Sequence, residues 1–171
     1  MATMLYLVRH GETVDNAEQI MQGQTQGELN EKGRAQAAEV CEQLRDVHVD
    51  AVVSSDLKRS IDTARIIAEP HGLSVAETPL LRERDWGDFT GRFIPDLKGE
   101  KWPDNVESLD SLLRRAQRFL EYIMNNYSGQ TVVAVGHGII NKAVQAVYHH
   151  KQMHEIERMG NAEVRVLRLE H

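Results

Sequence analysis

The sequence predicts an α/β chain: a three-layer α/β/α sandwich with a mostly parallel central sheet and an antiparallel edge strand. Three observations carry this expectation. Residues 5–8, 51–53 and 131–135 are short, continuous apolar runs of strand-forming residues, the pattern of strands buried on both faces. Stretches with helical apolar spacing lie between them, and strands alternating with helices specify a layered sheet with crossovers. Residues 164–169 instead alternate apolar and charged, as an edge strand does. At 171 residues the chain is long enough for a sizeable core, and it is read as one domain, 1–171, without repeats or linkers.

The elements follow in order. The first strand runs into Arg9, His10 and Gly11, and residues 11–29 are polar and Gly/Gln-rich, read as irregular. Asn30 opens a helix to about Val47, with Ala37, Val40, Cys41 and Leu44 on one face. A second strand ends in Ser54 and Ser55; Ser55 or Asp56 is expected to cap a helix through Ala68, stopped by Pro70 and Gly72. Residues 75–78 form a third strand. Residues 81–105 hold both tryptophans amid glycines and prolines, the composition of a functional loop, and are expected to form a small lid. A helix from about Glu107 to Tyr127 carries an apolar stripe of Leu109, Leu112, Leu113, Ala116, Leu120, Ile123, Met124 and Tyr127. The strand at 131–135 ends in Gly136-His137-Gly138 and feeds a helix from Ile139 to about Tyr148.

Composition narrows the function classes. A net charge of −6 gives no reason to expect nucleic-acid binding, so an anion site must be a local cluster within an acidic surface. No stretch approaches the ~18 consecutive apolar residues of a membrane span, and the first apolar run is too short for a signal peptide. A cytoplasmic location is expected. Cys41, the single cysteine, reads as a small core residue. His150 and His154 stand at helical spacing beside His149, but no zinc-protease carboxylate motif accompanies them, and no metal is expected. His171 could belong to a tag and is given no function.

Open α/β sheets bind ligands beyond the carboxyl ends of their strands. Three such ends carry chemistry here: Arg9-His10, the serines followed by Lys58-Arg59, and His137 between glycines. Cations in a first helical turn oppose the helix dipole at a cost of up to about 1 kcal/mol each. Either a bound anion or an ion pair to Asp62 would answer that cost. Guanidinium groups match phosphate oxygens, and imidazole is a nucleophile. No Walker-type glycine loop and no Gly-x-Ser-x-Gly elbow is present.

These residues resemble the histidine phosphatase superfamily, which includes the cofactor-dependent phosphoglycerate mutases. The matching blocks are Arg9-His10-Gly11-Glu12-Thr13 with Asn16, the run from Ser54 to Ala64, Leu81-Arg82-Glu83 with Gly87 and Gly91, Pro103 with Glu107-Ser108-Leu109, Val135-Gly136-His137-Gly138, and Asn161-Ala162. The resemblance implies a phosphoglycerate mutase-like fold and a phosphohistidine mechanism requiring no cofactor. It makes His10 the nucleophile and Glu83 the proton donor, and places Arg9, Arg59 and His137 around the phosphate. Asn16, Gln22, Gly23 and Gly138 would complete the substrate pocket. Gln22-Gly23-Gln24 replaces the Phe-Thr-Gly-Trp stretch of the mutases, and Thr90 and Gly136 stand where Glu and Ser are commoner. The expectation is a metal-independent phosphatase acting on a small phosphorylated metabolite. The alternatives are a phosphomutase, a protein phosphohistidine phosphatase and a non-catalytic phospho-ligand binding module.

Overall fold

In the computed structural model, residues 1–170 are described; His171 lies outside them. Five strands form one sheet in the order β3-β2-β4-β1-β5: β1 (Thr3–Arg9), β2 (Ala51–Ser54), β3 (Val75–Glu77), β4 (Thr131–Gly136) and β5 (Val164–Leu169). β1, β2, β3 and β4 are parallel, and β5 pairs antiparallel with β1 at the edge. The register sets Ser54 beside Val135 and Val135 beside Val8, so three strands end level.

Strand side chains alternate faces, and each face has its own core. On one side Leu5, Leu7, Val53, Val132 and Ala134 meet helices α4 (Leu109–Asn126) and α5 (Gly138–His149). On the other, Val8, Val52, Val133 and Val135 meet α2 (Glu31–Gln43) and α3 (Lys58–Ala68). Continuous apolar strands are thus explained by two covered faces, and the three layers stand as expected. The chain leaves β1 for α2 and adjacent β4 for α5, on opposite faces. That divergence opens a crevice beyond their carboxyl ends, where Arg9 pairs in register with Gly136.

Several local expectations are corrected. Residues 11–29 are not wholly irregular: α1 (Val14–Glu18) is held by a capping box between Thr13 and Asn16, in a helix too short to show periodicity. Neither Ser55 nor Asp56 caps α3; its N-cap is Leu57. The Ser55 hydroxyl is 2.7 Å from His137 Nε2, and Asp56 accepts two bonds from Arg82, at 2.7 and 2.6 Å. Gln26 caps the helix from afar, its side-chain Oε1 accepting from Lys58 N and its carbonyl from Arg59 N. α2 stops at Gln43, short of Val47. On α4, Leu109 is exposed just past the Ser108 cap, and Phe119, omitted from the expected stripe, is fully buried. α5 ends with His150 in a left-handed C-cap conformation, so His150 and His154 do not share a helix.

One glycine contact fixes the turn after β1. A Cβ on Gly11 would stand 2.3 Å from the Gly33 carbonyl oxygen, and one on Gly33 would stand 1.9 Å from that of Glu12. The first turn of α2 therefore crosses the chain directly behind His10, with no room for a side chain on either glycine.

Candidate active site

The strand register brings His10 and His137 together, with ring centroids 5.0 Å apart in an edge-on arrangement. His10 is buried; its Nδ1 lies 2.7 Å from its neighbour's carbonyl, Gly11 O. A carbonyl can only accept, so Nδ1 carries the hydrogen and Nε2 keeps its lone pair. Burial, then Arg59, then Arg9 push the His10 imidazole well below its usual range, so it stands neutral. His137 is pushed down for the same leading reasons, burial and Arg59. Its Nε2 lies 2.7 Å from the Ser55 hydroxyl and 3.1 Å from that of Ser60. A serine hydroxyl that donates to Nε2 leaves the ring hydrogen on Nδ1, the tautomer that gives an anion a donor.

Two arginines, Arg9 half-buried and Arg59 buried, flank the histidines. Arg9 donates through Nη1 to the Met159 carbonyl at 2.9 Å. Arg59 is almost wholly buried; its Nη1 donates to the carbonyls of Thr25 and Gln26, and its Nη2 to Gly23 O at 2.7 Å. Much of the Arg59 fork thus holds the 23–26 loop. A Cβ on Gly27 would stand 2.9 Å from Arg59 Cδ, so this loop closes on the arginine only with glycine there, at φ +72°. Burial lowers both guanidinium groups to about 10, leaving them cationic at neutral pH. Arg9 Nε, Arg59 Nε and His137 Nδ1 are buried without a partner. A buried unpaired donor costs about 1–3 kcal/mol, a cost that a bound anion accepting from these atoms would offset.

Glu83 enters from the loop after β3. Its Oε1 accepts backbone bonds from Arg84 N (2.8 Å) and Ile140 N (3.0 Å), and its Oε2 from Ile139 N (3.1 Å). The carboxylate therefore sits at the N-terminus of α5, where the dipole favours it. It forms no ion pair with Arg82, which holds Asp56, or with Arg84, whose guanidinium covers the Trp86 and Trp102 rings at 5.1 and 5.2 Å. Arg115 on α4 donates to the Leu80, Arg82 and Glu83 carbonyls and pairs with Glu107 at 2.8 Å. One side chain thereby sets the course of the Glu83 loop.

A cavity of about 260 Å³ is lined by Arg9, His10, Asn16, Gln22, Gly23, Arg59 and Glu83, all singled out in the sequence. Asn16 Oδ1 accepts from Thr13 N and Asn161 Nδ2, and Gln22 Oε1 accepts from the Thr13 hydroxyl, leaving both amide nitrogens for the cavity. His137 and Gly138 are not among its lining residues; the His137 ring stands edge-on to His10, and Gly138 opens α5. Sequence reasoning missed Ile20, Met21, Trp86, Ile94, Ile139 and Arg158, which complete the lining. Trp86 and Ile94 belong to the segment 81–105, whose composition was their only signal. That segment is bonded to the 19–21 stretch through Met21 N to Arg92 O, Gly91 N to Met21 O and Ile94 N to Gln19 O. Among the described residues no group of three or more His, Cys, Asp or Glu side chains could hold a metal ion. No helix among them is long and apolar enough to cross a membrane.

A buried neutral histidine between cationic donors, at the switch point of a doubly wound sheet, is an arrangement suited to a phosphoryl group. The profile of the histidine phosphatase superfamily (branch 1) matches residues 5–171, and the chain belongs to that family. Its fold is phosphoglycerate mutase-like. A phosphoglycerate mutase-like protein 4 of Arabidopsis thaliana is 35% identical over 184 residues, covering 96% of this chain and 79% of the relative. A metal-independent phosphoserine phosphatase of the same plant is also 35% identical over 184 residues, covering 98% and 76%. Among solved structures, a mycobacterial glucosyl-3-phosphoglycerate phosphatase superposes with a TM-score of 0.87 at 29% identity, covering 94% of this chain and 90% of that one. The phosphoserine phosphatase of Entamoeba histolytica, solved with 3-phosphoglyceric acid, has a TM-score of 0.85 at 28% identity, covering 96% and 89%.

Proposed function

We propose that the chain is a metal-independent phosphomonoesterase that hydrolyses a small phosphorylated metabolite through a phosphohistidine on His10. The observation that carries this reading is the His10 ring itself: Nδ1 is held by Gly11 O, which leaves the Nε2 lone pair among buried cationic donors that keep the ring neutral. His10 Nε2 attacks phosphorus and the bond to the ester oxygen breaks. Glu83, protonated, gives its proton to the departing alcohol. Water, deprotonated by the resulting carboxylate, then attacks phosphorus; the N–P bond breaks, and phosphate leaves with His10 and Glu83 restored.

Phosphoryl transfer asks the protein mainly to position and neutralise the equatorial oxygens. Arg9, Arg59 and His137 Nδ1 do this, with the amides of Asn16 and Gln22 beside them. Gly23 carries the carbonyl that anchors Arg59. Gly138 lets the first turn of α5 come close to Arg9. The segment 81–105 acts as the lid. The reading is supported by relatives named as phosphatases, at 35% identity for the Arabidopsis phosphoserine phosphatase.

Rapid mixing with p-nitrophenyl phosphate at high enzyme concentration tests the mechanism. The expected outcome is turnover that survives a chelator, with an acid-labile phosphate on the peptide containing His10. His10→Ala should lower turnover at least about 10⁴-fold, as losses of a covalent nucleophile do. Undiminished turnover in that variant overturns the phosphohistidine route. A mutase would instead isomerise a phosphorylated hydroxy acid faster than it releases phosphate.

A further inference from the structure

Arg158 lines the cavity but belongs to none of the motifs that mark the reaction. It lies in the loop before β5, is exposed, and makes no hydrogen bond or ion pair with any described residue. Its position is nevertheless defined. A Cβ on Gly138 would stand 3.1 Å from Arg158 Nε, 3.2 Å from Arg158 Nη2 and 3.4 Å from Arg9 Cζ. Two guanidinium groups thus converge on one glycine, and their mutual repulsion is among the causes that lower Arg9. Glu163 and Asp15, the other carboxylates acting on Arg9 and Arg59, do not line the cavity, and Glu163 is bound to Arg165 at 2.7 Å.

Charge balance gives this convergence a meaning. Arg9, Arg59 and Arg158 face the cavity with a single carboxylate, Glu83. In the reacting complex Glu83 carries the proton it will donate, so three cations face a phosphate dianion and one positive charge is left over. Arg59 is buried and Arg9 half-buried beside His10; Arg158, exposed at the rim, is the one left over. The geometry points to Arg158 as a specificity residue that binds a second anionic group on the alcohol part of the substrate. The substrate class is then a small phosphomonoester that also bears a carboxylate or a second phosphoryl group, of a size that a cavity of about 260 Å³ admits. This rests on the phosphatase reading above.

The experiment compares Arg158→Ala and Arg158→Lys with the native chain on three compounds: glycerol 3-phosphate, 3-phosphoglycerate, and propane-1,3-diol bisphosphate. The expected result is that Arg158→Ala loses about 10- to 100-fold in kcat/KM on one or both doubly anionic compounds, the scale of a charge-assisted contact. It loses less than about threefold on glycerol 3-phosphate, and Lys restores part of the difference. The compound with the larger loss identifies the anionic group. An equal loss on all three would mean that Arg158 holds the transferring phosphate, and no loss on any that it is a solvated surface group; either overturns the proposal. Calorimetric Kd values for the same ligands read the same selectivity in a chain that shows no turnover. Failure of the phosphatase reading and failure of this one are therefore separable.

Discussion

The strand-end pit and the segment that covers it are built by different means. In the pit, His137 and Ser55 have no exposed surface and Arg59 almost none, and each is fixed by sheet register or by bonds to main-chain atoms. The 81–105 segment contains only single 3₁₀ turns, Gly87–Phe89 and Ile94–Leu97. Three backbone bonds to the 19–21 stretch, the edge-on contacts of Trp102 with Trp86 and Phe89, and an exposed Arg92–Glu100 pair hold it. Trp102, Phe93 and Ile94 remain substantially exposed. From residue 91 onward, few buried side chains and solvent-facing bonds describe a region of low local stability. On the proposed reading the phosphate chemistry falls to the rigid element, while the segment walls the alcohol side of the cavity, together with Arg158.

Glu83 sits on the seam between the two, and after His10 its replacement has the largest expected effect. Gln keeps an acceptor for Arg84 N and Ile140 N but has no proton to give, so kcat on glycerol 3-phosphate should fall about 10²- to 10³-fold. On p-nitrophenyl phosphate, whose leaving group departs without protonation, the loss should stay below about tenfold. A large loss on both compounds would show that Glu83 serves the pit as a structural acceptor, and a small loss on both that another group supplies the proton.

The next effect belongs to the pit alone. His10 and His137 are both held well below their ordinary values, chiefly by burial. Unfolded, each would bind a proton near pH 6.5; folded, each resists it until lower pH. The unfolded state therefore binds more protons in that window, so stability is present above pH 6.5 and is lost as pH falls toward the folded values. The loss is about 1.4 kcal/mol per pH unit for each histidine. Urea titrations between pH 7 and 5.5 should show this slope, and His137→Gln should reduce it by about half. An unchanged slope in that variant would mean that His137 accepts a proton in the fold.

Much of this was legible before any coordinates. Arg9, His10, Arg59 and His137 stand at strand ends or in a first helical turn, and strand ends are where a parallel sheet gathers its ligands. Short-range patterns could state that much. What they could not state was long-range pairing. Ser55 read as a helix cap because sequence shows its neighbours, whereas its hydroxyl faces His137, 82 residues away. Gln26, the actual cap of α3, lies 32 residues before Lys58. Arg115 carries no local signal of its hold on the Glu83 loop, and Arg158 is one more charge in a polar stretch. The five-residue α1 escaped notice because so few residues cannot display a period.

The smallest effect tests the covering segment by itself. Trp86 lines the cavity, has the Trp102 ring edge-on at 5.4 Å, and lies beneath the Arg84 guanidinium. Its ring packs on Trp102 and Arg84, so its removal should act on the fit of the alcohol part. Trp86→Ala is expected to raise KM about three- to tenfold on glycerol 3-phosphate, with kcat within about twofold, the sign of binding equally available to ground and transition states. Urea midpoints should barely move, since the 3₁₀ turns add little to either core. A fall in kcat with unchanged KM would erase the division between pit and covering segment, because it would place the segment's aromatic wall among the groups that organise the transition state.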